Sequence, residues 1–191
     1  LKEPVTESTK KVARCFYALS QARAASKRYP AIDSIDSYSK YLEYPEIREY
    51  LDKKIDNGWV DMVMEGKNVV LRGKEASEQI NILGDDGVTI GYHDRFWKSE
   101  LIDFVLLQQD AFDKIDGSTP LERQKYMFEM ILNICRQQID FDTFEECSSF
   151  YKSLINTLRQ MNYSEFESEQ FKNYERQLKD KLTEKDIELA E

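Results

Sequence analysis

The sequence predicts an all-α protein, an antiparallel helical bundle preceded by a leading helix and a loop. Three observations carry that prediction. Only 7 Gly and 4 Pro punctuate 191 residues, so long uninterrupted segments are favoured. Apolar residues recur at spacings of three and four along most of the chain, the period of a helix with one buried face. Three capping boxes, Thr119 with Glu122, Thr143 with Glu146 and Ser164 with Glu167, mark helix starts in the second half.

Taken in order, Pro4 ends a short connector, and Thr6 or Ser8 caps a helix with Val12, Cys15, Phe16, Leu19, Ala22 and Ala25 on its apolar face. That helix stops before Pro30, because the residue ahead of a proline is pushed out of the α region. Residues 29–39 are dense in Asp and Ser, whose side chains bond their own backbone, and read as a loop. A second helix begins near Pro45, carries Ile47, Tyr50, Leu51 and Ile55, and is stopped by Asn57-Gly58. From Trp59 to Leu71 the pattern is ambiguous. Val60, Met62 and Met64 alternate like a strand, and Glu65 to Asn68 can turn a hairpin, but the helical surroundings favour a helix–turn–helix. The next face, Val69, Ala76, Ile80 and Leu83, is halted by Gly84.

Gly84 to Asp94 reads as a turn-rich loop with Asp94 as the cap of a helix from Arg95 to about Gln109 that buries Trp97, Leu101, Phe104 and Val105. The three boxed helices carry core stripes of Leu121, Met127, Ile131, Ile134 and Cys135; of Cys147, Tyr151, Leu154, Ile155 and Leu158; and of Phe171, Tyr174, Leu178 and Leu182. Beyond Lys179 the charged tail is expected to fray.

Composition narrows the function classes. A net charge of -9 argues against a nucleic-acid partner, which needs clustered Lys and Arg. Cys15, Cys135 and Cys147 have no Cys-x-x-Cys spacing, so they read as reduced thiols of a cytosolic chain. His93, the single histidine, reads as a surface or capping residue, not a metal ligand. No stretch approaches a membrane span or a signal sequence. Neither a phosphate loop, a dinucleotide fingerprint nor a nucleophile elbow occurs, and acidic pairs such as Glu145-Glu146 sit where they offset a helix dipole. No catalytic residue and no metal site is expected in these residues.

Binding is another matter. At Leu106-Leu107-Gln108-Gln109-Asp110-Ala111-Phe112 an apolar run ends in two amides and an aromatic. Gln108 and Gln109 offer donor and acceptor for the edge of a heterocycle, and Phe112 offers a face for stacking, a set that suits adenine.

Three segments, in this order, resemble the catalytic A subunit of the V-type or archaeal-type rotary ATPase (ATP synthase), in its C-terminal portion. They are Glu3-Pro4-Val5-Thr6-Glu7-Ser8-Thr9 with Phe16-Tyr17-Ala18-Leu19; Tyr29-Pro30-Ala31-Ile32-Asp33 with Ser37-Tyr38-Ser39; and Leu107 to Phe112 with Thr119-Pro120. The resemblance covers residues 3–135. It implies that residues 1–40 end a nucleotide-binding domain and its connector, and that 41–191 form a C-terminal helical domain. It further implies that Phe112, Gln108 and Gln109 complete the adenine pocket for ATP or ADP, while magnesium and the phosphates are held by an upstream domain. A loop bearing Asp85, Asp86 and Asp94 would face the rotating central stalk.

The implied partners are the B subunit and that stalk, in a hetero-hexameric A3B3 head peripheral to a membrane on its cytoplasmic side. The implied activity is ATP-driven proton or sodium transport, or ATP synthesis, by the intact subunit. These residues alone are expected to be inactive, and a start at Leu1 suggests a piece of a longer chain. Three departures from the family pattern stand out: Asp110 in place of Asn, extra residues between Phe112 and Thr119, and Val88, Ile90, Tyr92 and His93 within the usually acidic loop. The rival expectation is a free-standing helical adaptor that binds a protein through the Tyr and Phe of its last two helices.

Overall fold

In the structure, a computed structural model that describes residues 3–185 and 187, helices dominate from Lys40 onward and a two-stranded sheet precedes them. Helix α1 spans Pro4–Val12, strand β1 Cys15–Leu19, α2 Gln21–Ala25 and strand β2 Ile32–Ser39. After a single-turn helix at Lys40–Glu43 come α3 (Pro45–Lys54), α4 (Trp59–Leu83), α5 (Ile90–Ile102), α6 (Leu121–Arg136), α7 (Phe144–Asn162) and α8 (Glu169–Thr183). The chain divides into two compact units, Leu1–Lys67 and Asn68–Glu191, with the division inside α4.

The first unit departs most from the sequence pattern. The leading helix expected through Ala25 is broken into α1, β1 and α2, and the expected loop at 29–39 contains β2. The strands pair antiparallel, Cys15 with Ser39 and Phe16 with Tyr38, then Ala18 with Asp33 and Leu19 with Ile32. Between these pairs β2 spends three more residues than β1. The side chains that suggested a loop close this irregularity: Asp33 Oδ1 accepts the amides of Ile35 and Asp36 at 2.9 and 3.0 Å, and Ser37 Oγ accepts that of Ala18 at 3.0 Å. Pairing outweighs local helical spacing here because an extended Phe16 stacks on Tyr38 across the ladder, ring centroids 5.9 Å apart. Val12, expected on a buried face, is 81% exposed. Helix α3 begins at Pro45 as expected but ends at Lys54, before the Asn57-Gly58 signal, and Gly58, at φ +90°, stands immediately ahead of α4.

The segment read as helix–turn–helix is one continuous helix, α4. Its Gly73 is a place of close approach, not a break: a Cβ there would lie 2.0 Å from Ser99 Cβ of α5. Helix α5 starts at Ile90, so Asp94 lies inside it and caps nothing. Of the three capping boxes one forms as drawn, with Thr143 Oγ1 accepting the amide of Glu146 at 3.1 Å. Thr119 instead donates its hydroxyl to Asp116 O, and Ser164 donates to Gln160 O, while the cap of α8 is Ser168, which accepts from Phe171 N.

In the second unit α7 packs between α5 and α8. Leu101, Ile131, Ile134, Cys147, Tyr151, Leu154, Leu158, Phe171 and Leu178 form its core. The stripes hold except at Leu121, which is 38% exposed. Part of the tail expected to fray is ordered: α8 runs to Thr183, and Leu182 and Ile187 are buried, while residues 186 and 188–191 lie outside the described residues. Cys147 is buried, Cys135 partly so and Cys15 exposed, all as free thiols. Among the described residues no helix is long and apolar enough to cross a membrane.

Candidate functional site

The end of α5 widens into one π-helical turn, Asp103–Leu107, before the chain leaves the helix at Gln108. Such turns project side chains out of helical register. The amide of Gln108 closes the turn on Asp103 O at 2.9 Å, five residues back. Its side-chain nitrogen approaches Asp103 Oδ2 only to 3.5 Å, a loose contact.

From Gln109 to Thr119 the loop is tied to itself around Asp116, which is buried. Asp116 O accepts the Gln109 side-chain nitrogen at 2.7 Å and the Thr119 hydroxyl at 2.9 Å. Its carboxylate accepts the amide of Asp110 at 2.6 Å. Burial pushes the Asp116 carboxyl above its ordinary range, opposed by that amide and by the positive charge of Arg123. Asp110 Oδ1 takes the Phe112 amide at 2.9 Å, and Asp113 Oδ1 takes those of Ile115 and Asp116, each at 2.8 Å. Gly117 lies so close to the opposite limb that a Cβ would stand 3.1 Å from Asp110 O. Thr119 O accepts the Gln124 side-chain nitrogen of α6 at 3.0 Å, the other links named here are internal to the loop, and Phe112 is left 99% exposed.

The base of this loop rests on residues that the sequence reading did not single out. Asn162, at the end of α7, donates its side-chain amide to Val105 O of the π-helical turn at 2.7 Å. Arg123 of α6, 1% exposed, donates through Nη2 to Asn162 O, while its Nε and Nη1 have no hydrogen-bond acceptor among the described residues. Burial lowers the Arg123 pKa, opposed by Asp116 and Asp113. Nothing in the local sequence marks Asn162, whose partner is 57 residues away. Asp116 did carry a signal, since it opens an Asp-Gly turn between two helices.

Gln108, Gln109 and Phe112 are thus brought into one loop. The three acidic residues of the Gly84–Asp94 segment are not brought into one cluster. Asp85 and Asp86 lie exposed in a short turn, Asp85–Gly87, whereas Asp94 accepts from Tyr151 Oη at 2.6 Å and pairs with Lys98 at 2.8 Å. His93, expected at the surface, is 4% exposed; its Nε2 lies 3.1 Å from Asp85 O, and its ring stacks on Phe144. It therefore braces the turn from within. The aromatics on which an adaptor would rely are core: Tyr151 and Phe171 are buried, and Phe150, Phe166 and Tyr174 pack against them.

No protein-family model matches the chain. Comparison with curated proteins finds V-type ATP synthase alpha chains. That of Protochlamydia amoebophila is 37% identical over 171 residues, which is 90% of this chain and 28% of the relative. Those of Chlamydia trachomatis serovar L2 and Chlamydia pneumoniae are each 36% identical over 170 residues, 89% of this chain and 28% of theirs. The chain therefore spans just over a quarter of the length of the relatives it matches. Among solved structures, that of the ATP synthase subunit NeqB from Nanoarcheaum equitans aligns with TM-score 0.51 at 19% identity, covering 72% of this chain and 32% of that one. That last likeness bears on the fold alone. The sequence matches go further: the chain belongs to the V-type ATP synthase alpha chain family and corresponds to the C-terminal portion of those proteins.

Proposed function

We propose that this chain is the helical cover of the nucleotide site in an ATP-hydrolysing or ATP-synthesising subunit, and that it converts nucleotide occupancy into movement of the whole helical domain. Phe112 would stack on adenine, and Gln108 and Gln109 would meet its edge. The observation that carries this reading is Phe112, 99% exposed on a loop whose backbone is tied down by Asp110, Asp113 and Asp116. The backbone beneath it is fixed, so contact with a flat partner has only the ring's own two torsions to order. Residues 1–40 would end the nucleotide-binding domain and 41–191 form the helical one, which agrees with β2 ending at Ser39 and helices following it.

Magnesium and the phosphates are assigned to the part of the relatives that this chain does not match. Among the described residues no group of three or more His, Cys, Asp or Glu is arranged to hold a metal. The B subunit and central stalk are the proposed partners, with Asp85 and Asp86 on the surface offered to the stalk and Asp94 bracing α5 against α7. The setting would be cytoplasmic and peripheral to a membrane. Contacts made only when nucleotide is bound are what can drive a domain rotation.

The test is Phe112→Ala in the full-length subunit. Nucleotide affinity should fall about five- to tenfold, the worth of one stacking contact, while the melting temperature stays put. Unchanged affinity would overturn the adenine assignment. The isolated 191-residue chain should show no ATPase activity.

A further inference from the structure

We infer that Gln109 is the residue that selects an amino-purine over an oxo-purine, because Asp116 fixes its carboxamide with the nitrogen turned into the loop and the oxygen left for a ligand. The inference rests on the adenine reading and adds to it a direction of recognition.

A free glutamine amide is ambivalent, since half a turn about its last bond exchanges a donor for an acceptor. Gln109 lacks that freedom. Its Nε2 donates to Asp116 O at 2.7 Å, and the exchange would set two acceptor oxygens against each other at that distance. Asp116 O cannot easily retreat. The Thr119 hydroxyl is bonded to it at 2.9 Å, the Asp116 side chain is held by the Asp110 amide at 2.6 Å, and the Asp116 amide is held by Asp113 at 2.8 Å. Gly117, packed on the backbone of Asp110 and Ala111, closes the same turn. Gln109 itself is exposed, and its carboxamide oxygen has no partner among the described residues.

The consequence is a fixed acceptor three residues before the exposed Phe112 ring. An exocyclic amino group, as on adenine, donates to it. The carbonyl that replaces this group in hypoxanthine meets oxygen with oxygen, and relief requires breaking the link to Asp116. Gln108 has no such constraint, because its nitrogen lies 3.5 Å from Asp103 Oδ2 and the amide can turn to suit either ligand. Discrimination is therefore assigned to Gln109 and not to its neighbour.

The experiment uses the full-length subunit assembled in its complex and compares kcat/KM for ATP, inosine triphosphate and purine riboside triphosphate, which lacks the exocyclic group. Wild type should prefer ATP to inosine triphosphate by about tenfold, one hydrogen bond gained against one refused. Gln109→Met, of similar length and without a polar atom, should bring the three substrates within about twofold of one another. A Met variant that keeps the wild-type ratio overturns the inference. Phe112→Ala separates the two claims: a loss shared by all three substrates, beside an unchanged ratio in the Met variant, retains the pocket and removes only the role of Gln109. No effect of Phe112→Ala on any substrate removes the stacking assignment itself.

Discussion

Asn162 donates its side-chain amide to the carbonyl of Val105 at 2.7 Å, joining the last turn of α7 to the π-helical turn from which the Gln108–Phe112 loop springs. A π-helical turn leaves carbonyls without a regular helical donor, and this bond supplies one in a place closed to water. Asn162→Ala should therefore destabilise by about 2 kcal/mol, the cost of an orphaned buried acceptor. Arg123 behaves differently. It supports Asn162 O through Nη2, yet buries two further N–H-bearing nitrogens without acceptors. Arg123→Met gives up that bond and the positive charge that opposes the burial of Asp116, but it relieves the two unpaired nitrogens, so the opposing terms should leave a net loss of about 1 kcal/mol. Urea unfolding of the two variants checks the order. A larger loss for Arg123→Met than for Asn162→Ala would contradict it.

The crossing of α4 and α5 should be equally sensitive to one methyl group. At Gly73 an added Cβ would lie 2.0 Å from Ser99 Cβ and 2.5 Å from its Oγ. Alanine gains about 1 kcal/mol of helix propensity over glycine, but overpacking a closed contact costs more. Gly73→Ala should be net destabilising by about 2 kcal/mol, and Ser99→Gly in the same chain should restore most of that. Thermal melts of the single and double variants decide it, and additive losses would exclude the contact as the cause.

Acid should loosen the start of α7. Glu146 is held below its ordinary value of 4.5, first by Lys185 and then by the Asp142 amide at 2.8 Å. A carboxylate whose pKa is depressed by folding stabilises above its unfolded value and loses that contribution as pH falls through the folded one. Glu146→Gln, which keeps an acceptor for Asp142 but no charge, should melt lower than wild type at neutral pH. The gap should close as pH falls below 4.5. A gap that is constant with pH would place its origin elsewhere.

Part of the candidate loop was legible early. Gln108, Gln109 and Phe112 were marked by their chemistry at a helix end, and the helices around them by periodic stripes such as Cys147, Tyr151, Leu154 and Leu158, all now buried. Asp94 shows the limit of that approach. In sequence it belongs with Asp85 and Asp86, yet it is bound by Tyr151, 57 residues on, and serves the core.

By itself the sequence determined what depends on neighbours three or four residues apart: which segments of the second unit are amphipathic helices, where Pro45 starts α3, and which amides and aromatic stand together after α5. Tertiary structure decided whatever depends on partners far along the chain. Phe16 became strand because Tyr38 lies across from it, Gly73 has no room for a side chain because Ser99 fills the space, and Gln109 lost its rotational choice because Asp116 holds it. The physical reason is common to all three. Local propensities differ by about 1 kcal/mol or less per residue, so a single packed contact or buried hydrogen bond is enough to override them.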